Sequence, residues 1–293
     1  MSPSVTIAPS RSTTADVQIA STDGVTVAVH DFGGDGEPFL ICHATGFCAH
    51  AYAPMAERLA ERHHVWSLDF RGHGDTPAPA NGRFDWEGMA DDLQAVIKEL
   101  TSSPLAIFGH SMGGAVAVLV EDRTPGTLKS AYLYEPIIIP ASGEMPLGSN
   151  PMSEIARHRR PSFPSKAEAL MRYASRPPLN SLQAGALAAY VEHGFTEESD
   201  GTARLKCLPE HEAATFAATG KATVDVAAKV LTPTTVAVGH VEGDWGPALF
   251  APAVVEAMPN ATLERFDMLG HFGPLQDPTA IASSILESED RVS

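Results

Sequence analysis

Cysteine is scarce, long apolar runs are missing, and positive charge is in short supply. The three cysteines, Cys42, Cys48 and Cys207, form no CxxC pair and have no metal-site spacing, so no metal is expected. Cys42 lies in an apolar run and reads as a small buried hydrophobe. Reduced thiols and a cytoplasmic location are the expectation. No stretch approaches the ~20 apolar residues of a membrane span. Lys and Arg number 20 against 36 Asp and Glu, a net charge of −16. Such a surface repels phosphate backbones and anionic lipid, so neither nucleic acid nor membrane is an expected partner. No internal repeat is visible. The Ser/Thr/Pro-rich residues 1–14 lack the apolar core of a signal peptide and read as a loose, disordered tail.

What is present fits one large α/β unit with an insertion. The chain has 293 residues, 44% of them hydrophobic, enough for a substantial core. Residues 16–20 and 25–32 flank Thr22-Asp23-Gly24, a hairpin signal. Short apolar strands are expected at 38–42, 65–69, 105–108 and 131–134, and helices at 51–62 and 86–100. In the latter, Met89, Leu93, Val96, Ile97 and Leu100 recur at helical spacing. This alternation predicts a doubly wound, mostly parallel sheet covered on both faces. Reactive groups then belong at the carboxyl ends of strands, where His43, Asp69, Ser111 and Glu135 all fall. Between 136 and 225 prolines crowd in, helical patches appear at 165–174, 181–193 and 209–219, and no strand is evident. That stretch reads as an inserted helical cap between core segments 15–135 and 226–293. A strand at 234–239, a helix at 247–257, a strand at 262–267 and a helix from about 277 complete the pattern.

Residues 109–113 read Gly109-His110-Ser111-Met112-Gly113, a G-x-S-x-G pentapeptide between a strand-like and a helix-like run. A bland reading is a Gly-Ser turn without chemistry. The flanking strand and helix favour a nucleophile elbow, in which a strained turn lifts a serine clear of the sheet. Serine is a weak nucleophile at neutral pH and needs a base oriented by an acid. In elbow enzymes these follow in the order serine, acid, histidine. Of the 12 histidines, His271 alone occupies the loop between the last strand and last helix, where an imidazole can meet the serine. His63, His64 and His158 look like surface residues, and His193 and His211 fall in the cap. Three carboxylates compete for the acid. Asp244 is preferred, Glu242 follows, and Glu135 at the end of an earlier strand is the third. The oxyanion formed on acyl attack needs two N–H donors. Met112, at the positive end of the next helix, is one candidate. Thr45, in the loop after strand 38–42, is the other.

These segments together resemble the α/β-hydrolase family over about residues 15–290. His43-Ala44-Thr45-Gly46 stands where the family commonly has His-Gly-x-x-Gly. Asp69-Phe70-Arg71-Gly72-His73-Gly74 matches a frequent segment read as structural. Gly109-His110-Ser111-Met112-Gly113-Gly114 has the common elbow form, and Gly270-His271-Phe272 matches the histidine loop. Two features depart. Ala44 replaces a usual glycine, and the loop carrying Glu242 and Asp244 is about one residue longer than usual. Serine at the elbow differs from epoxide hydrolases and haloalkane dehalogenases, which use aspartate there.

The resemblance implies a serine hydrolase with a Ser-His-acid triad, acting without a cofactor on a small carboxylic ester, thioester or lactone held under the cap. Ile155, Leu170, Met171, Leu182, Leu187, Phe195 and Phe216 are candidates to line an apolar site, although packing within the cap is the simpler reading for most. A carbon–carbon bond hydrolase of β-diketone-like compounds and a perhydrolase share the same machinery. A non-catalytic ligand receptor would keep the pocket and lose turnover.

Overall fold

Fully apolar strands avoid water only when helices cover both faces of their sheet. The computed structural model has this arrangement and describes residues 15–139, 150–218, 220–241 and 246–292. In chain order the strands are β1 (Val17–Ala20), β2 (Thr26–Gly33), β3 (Glu37–Cys42), β4 (His63–Leu68), β5 (Leu105–His110), β6 (Leu128–Tyr134), β7 (Ser162–Phe163), β8 (Phe195–Glu197), β9 (Ala203–Leu205), β10 (Thr234–Gly239) and β11 (Ala261–Phe266). The α-helices are α1 (Ala53–Leu59), α2 (Trp86–Leu100), α3 (Met112–Arg123), α4 (Pro151–Arg157), α5 (Lys166–Ala174), α6 (Ala184–Gly194), α7 (Pro209–Ala217), α8 (Val224–Ala227), α9 (Pro247–Ala257), α10 (Gly273–Gln276) and α11 (Pro278–Val292).

An eight-stranded sheet has the order β1-β2-β4-β3-β5-β6-β10-β11. Its first hairpin is antiparallel, β2 pairs antiparallel with β4, and the remaining pairs are parallel. Alternate residues of each strand feed opposite faces. Leu40, Ile107, Leu133 and Val236 pack with α2, α3, α8 and α9. Phe39, Ile41, Phe108, Tyr132 and Ala237 pack with α1 and α11. The periodic residues of α2 behave as expected: Met89, Leu93, Val96 and Ile97 are buried, and the Asp85 side chain caps the helix by accepting from the Gly88 N–H. Truncating one of these core leucines to alanine costs about 2–5 kcal/mol.

The Asp69–Gly74 segment acts as a joint. Asp69 accepts from the Ala49 and Asp75 N–H groups, each at 2.8 Å, and from His30 Nε2 at 2.9 Å. Burial would raise this carboxyl, but His30 and the backbone donors hold it well below the usual range. Buried Arg71 grips Asp92 with two 2.8 Å bonds and Asp23 at 2.9 Å. Together they tie the turn after β4 to α2 and the first hairpin.

The segment between β6 and β10 is less purely helical than expected. Its described residues contain four helices of seven or more residues and a small antiparallel sheet in the order β7-β9-β8. Strands of two or three residues are too short to show an alternating pattern in sequence. Helix α4 falls in the proline-rich stretch, with Pro151 in its first turn and Asn150 as cap. The expected tail at 1–14 lies outside the described residues. No helix among those described is long and apolar enough to cross a membrane.

Candidate active site

Strand β5 ends at His110 and α3 begins at Met112, so Ser111 alone makes the turn between them. Its backbone sits at φ 55°, ψ −114°, outside the regions L-residues normally occupy. Surrounding bonds enforce the strain. The Ser111 N–H donates to the Tyr134 carbonyl at 2.9 Å, and its own carbonyl accepts from Ala115 and Ile137, each at 3.2 Å. Gly113 permits the close approach, since a Cβ there would stand 2.4 Å from the Cys42 carbonyl oxygen.

The β5–β6 register pairs His110 with Tyr134, which puts Ser111 and Glu135 side by side one step beyond the last pair. Glu135 also has left-handed backbone, at φ 44°. It is only 2% exposed. Its N–H donates to the Ala237 carbonyl at 2.8 Å, and its Oε1 accepts from the Gly239 N–H at 2.9 Å. Its Oε2 lies 2.7 Å from His271 Nδ1, while His271 Nε2 lies 3.2 Å from Ser111 Oγ. A carboxylate only accepts, so Nδ1 carries the ring proton and a neutral Nε2 faces the serine. Ser111 is 7% exposed.

The carboxylate at His271 is thus Glu135, the third of the three expected acids. Asp244 and Glu242 lie outside the described residues. Of the expected oxyanion donors, Met112 is the first residue of α3, where helix geometry leaves its N–H without an intrahelical acceptor. Thr45 touches it, its hydroxyl 3.3 Å from the Met112 sulfur. Ala44 is not among the residues with left-handed backbone, so its methyl group fits where a glycine is more usual. His43 is buried with both ring nitrogens engaged: Nδ1 is 2.8 Å from the Ala44 carbonyl, and Nε2 accepts from the Phe70 N–H at 3.0 Å. Burial pushes its ring below the usual imidazole range.

The inserted segment reaches this loop through groups without a local sequence signal. Arg159 Nη1 donates to Glu212 Oε2 at 2.5 Å, and Nη2 to the hydroxyls of Tyr190 at 2.7 Å and Tyr173 at 3.3 Å. The Tyr190 hydroxyl then donates to the Gly46 carbonyl at 3.0 Å. A Cβ on Gly46 would come within 2.5 Å of Glu212 Oε1. Phe47 bridges the Tyr190 ring at 5.0 Å and the Phe272 ring at 5.5 Å. Burial alone would lower the Arg159 guanidinium, but Tyr190, Glu212 and Tyr173 keep it charged, well above its ordinary value. Because Arg159 and Glu212 are 53 positions apart, no motif marks them.

The remaining histidines have other roles. His63 and His64 are half-buried beside Glu289 and Asp31, and His158 is exposed. His193 stacks on core His50 with ring centroids 3.6 Å apart, and His211 on Phe84 at 5.3 Å. Among the expected pocket residues, Leu182, Leu187 and Phe195 pack in the hydrophobic cluster shared by the insertion and the α1/α11 face, while Ile155 and Met171 are exposed.

Residues 22–284 match the model of the alpha/beta hydrolase family, and the chain belongs to that family. The magnesium-chelatase 30 kDa subunit of Rhodobacter capsulatus is 36% identical over 91 residues, 31% of this chain and 32% of that protein. A probable protein phosphatase methylesterase 1 of Caenorhabditis elegans is 31% identical over 156 residues, 52% of this chain and 42% of that protein. The chain therefore spans less than half the length of either relative. A thermophilic esterase from Thermogutta terrifontis, solved with malate bound, shares the fold with a TM-score of 0.72 and 23% identity, over 94% of this chain and 98% of that one.

Proposed function

We propose that the protein is a serine hydrolase that cleaves a small carboxylic ester, thioester or lactone through an acyl-enzyme. The observation carrying this reading is the hydrogen-bond line from Ser111 Oγ through His271 to Glu135, at 3.2 and 2.7 Å. Ser111 Oγ attacks the substrate carbonyl carbon and its proton passes to His271 Nε2. Glu135, held by the Gly239 N–H, orients the ring and stabilises the imidazolium. The N–H groups of Met112 and Thr45 take the oxyanion. Collapse breaks the bond to the leaving group, which receives the His271 proton. Water, deprotonated by the same nitrogen, attacks the acyl carbon and returns Ser111 to its free form. These groups and water suffice for every step, so no cofactor is required. The methylesterase and esterase among the similar proteins support an ester as substrate.

The test has two arms. A fluorophosphonate should label Ser111 stoichiometrically, as mapped on the peptide, and S111A should not label. Folded protein that fails to label overturns the reading. A panel of p-nitrophenyl esters of increasing chain length, run beside a lactone and a dienone, then selects the substrate class. Turnover of the dienone alone would move the protein to carbon–carbon bond hydrolysis.

A further inference from the structure

We infer that His110, the residue before the nucleophile, is a positioning residue that locks the oxyanion loop and the histidine loop into one hydrogen-bonded frame. The inference rests on the reading of Ser111 and His271 as a catalytic pair.

His110 ends β5 and is wholly buried. Its two ring nitrogens face the two loops that must meet at Ser111. Nε2 lies 2.8 Å from the backbone carbonyl of His271. Nδ1 lies 2.7 Å from the Tyr52 hydroxyl, whose oxygen lies 3.1 Å from the Ala44 N–H. Chemistry at the ends of this chain sets its direction. The Ala44 N–H can only donate, so the Tyr52 oxygen accepts from it and the Tyr52 O–H donates to Nδ1. The His271 carbonyl can only accept, so Nε2 carries the ring proton. One tautomer of a neutral His110 satisfies every link. Burial favours that neutral form, pushing the ring well below its usual range, and a proton taken up by the His271 ring beside it would push the same way.

The frame spans three segments far apart in sequence, with 58 positions between Tyr52 and His110 and 161 between His110 and His271. A second strut runs beside it, since the Tyr134 hydroxyl donates to the Gly270 carbonyl at 2.8 Å. Two successive carbonyls of the histidine loop are thus gripped from the ends of β5 and β6. Ser111 and Glu135 follow those same two residues in sequence. The ring of His271 is therefore aimed by its neighbours' side chains as well as by its own bonds. A histidine needed only for packing would not require partners on both catalytic loops.

The test compares S111A, H110A, H110Q, H110N and Y52F on a p-nitrophenyl ester, measuring kcat, KM and the folded fraction. Glutamine places an amide N–H near the Nε2 position and restores the bond to the His271 carbonyl. Asparagine reaches only toward Tyr52. We expect H110A and H110N to lose about 30- to 100-fold in kcat, the scale of a small misplacement of a reacting group, with KM within about twofold. H110Q recovers most of that loss, and Y52F loses about tenfold, the scale of one hydrogen bond. Wild-type kcat in H110A, equal losses in H110Q and H110N, or losses matching the unfolded fraction would each overturn the inference. If H110A fails to fold, the contrast of H110Q with H110N decides. S111A separates the two levels. Active S111A removes the catalytic reading itself, whereas inactive S111A beside fully active H110A removes only the role of His110.

Discussion

The carboxyl edge of the central sheet and the inserted segment at 150–218 are held together by different chemistry. All six residues of β5 are buried, and its backbone is laddered to β3 and β6. Helix α5 of the insertion buries only Ala169, and beside the apolar cluster that Leu182, Leu187 and Phe195 share with α1 and α11 the insertion meets the core through rings and charges. The Lys206–Asp75 ion pair, the His193–His50 stack and the Tyr190–Gly46 bond are such contacts. Dense apolar packing tolerates little movement, so it suits the groups whose spacing sets the chemistry. Such polar and ring contacts are fewer and less densely interlocked than the apolar packing around β5. Ser111 and Glu135 accordingly sit at the ends of β5 and β6, while the insertion holds the loop at Gly46 through Tyr190.

The strongest way to break this comparison is at the acid. E135Q keeps the side chain's shape but offers an amide to His271 Nδ1, which favours the wrong tautomer. A fall in kcat of about 10³- to 10⁴-fold is expected, roughly 4–5.5 kcal/mol, with stability little changed. D244N and E242Q should stay within a few-fold of wild type. Steady-state kinetics of the three variants decide. A large loss in D244N and none in E135Q would move the orienting acid away from the end of β6.

Across the junction the expected effect is smaller. Y190F removes the hydroxyl that donates to the Gly46 carbonyl and accepts from Arg159, whose guanidinium keeps Glu212 and Tyr173, while leaving the ring contacts of Phe47 intact. A loss of about tenfold in kcat is expected, corresponding to one hydrogen bond of about 1.4 kcal/mol that aligns the oxyanion loop. If KM alone rises, the insertion contacts substrate without aligning the loop, and the two regions are more independent than argued above.

Acid should strain both regions, the core more. Burial lowers the rings of His43, His73 and His110 in the core, with His73 down to about 3. At the junction it lowers His50 to about 3 and His193 by less. A histidine whose folded value is depressed takes up its proton mainly in the unfolded chain. Its stabilising contribution is complete above the unfolded value near 6.5 and is lost as pH falls below it. His30 is shifted upward overall: burial lowers it, but Asp69 outweighs that. Its contribution has the opposite sign, complete at low pH and lost as pH rises through the folded value. The depressed group is larger, so unfolding free energy should fall between pH 7 and 5, by up to about 1.4 kcal/mol per pH unit for each fully shifted ring. Chemical denaturation at a series of pH values checks the slope, and a flat profile would show that these rings are not held neutral.

The two regions also differ in how much their sequences disclose. Strand β10 and helices α2 and α9 have the bounds expected from apolar runs and periodicity, because each is long enough to repeat its pattern. The elbow and histidine loop were legible because each is a contiguous motif. Glu135 was harder to rank. Its partner is 136 positions away, and its place opposite His271 follows from strand register and a left-handed backbone that no local pattern announces. Arg159, Glu212 and Tyr190 were missed for the same reason. The β7–β9 strands escaped because two or three residues carry no period.

The smallest expected effects lie on the insertion's outer surface. As a bare sequence, Ile155 and Met171 look like lining for an apolar pocket. In the fold they are 62% and 58% exposed, so their side chains have little apolar contact to lose. The hydrophobic stabilisation at stake scales with area removed from water, at about 25 cal/mol per Å². I155S and M171S should therefore each change stability by no more than about 0.5 kcal/mol, the usual range for surface substitutions. Their kcat/KM on short esters should match wild type. L187A is the internal contrast, because Leu187 is buried in the cluster that joins the insertion to the core, and it should cost about 2–5 kcal/mol. A rise in KM for long-chain esters in I155S or M171S, with stability unchanged, would place those residues in contact with substrate and extend the binding surface out onto a face that the folded chain leaves open to water.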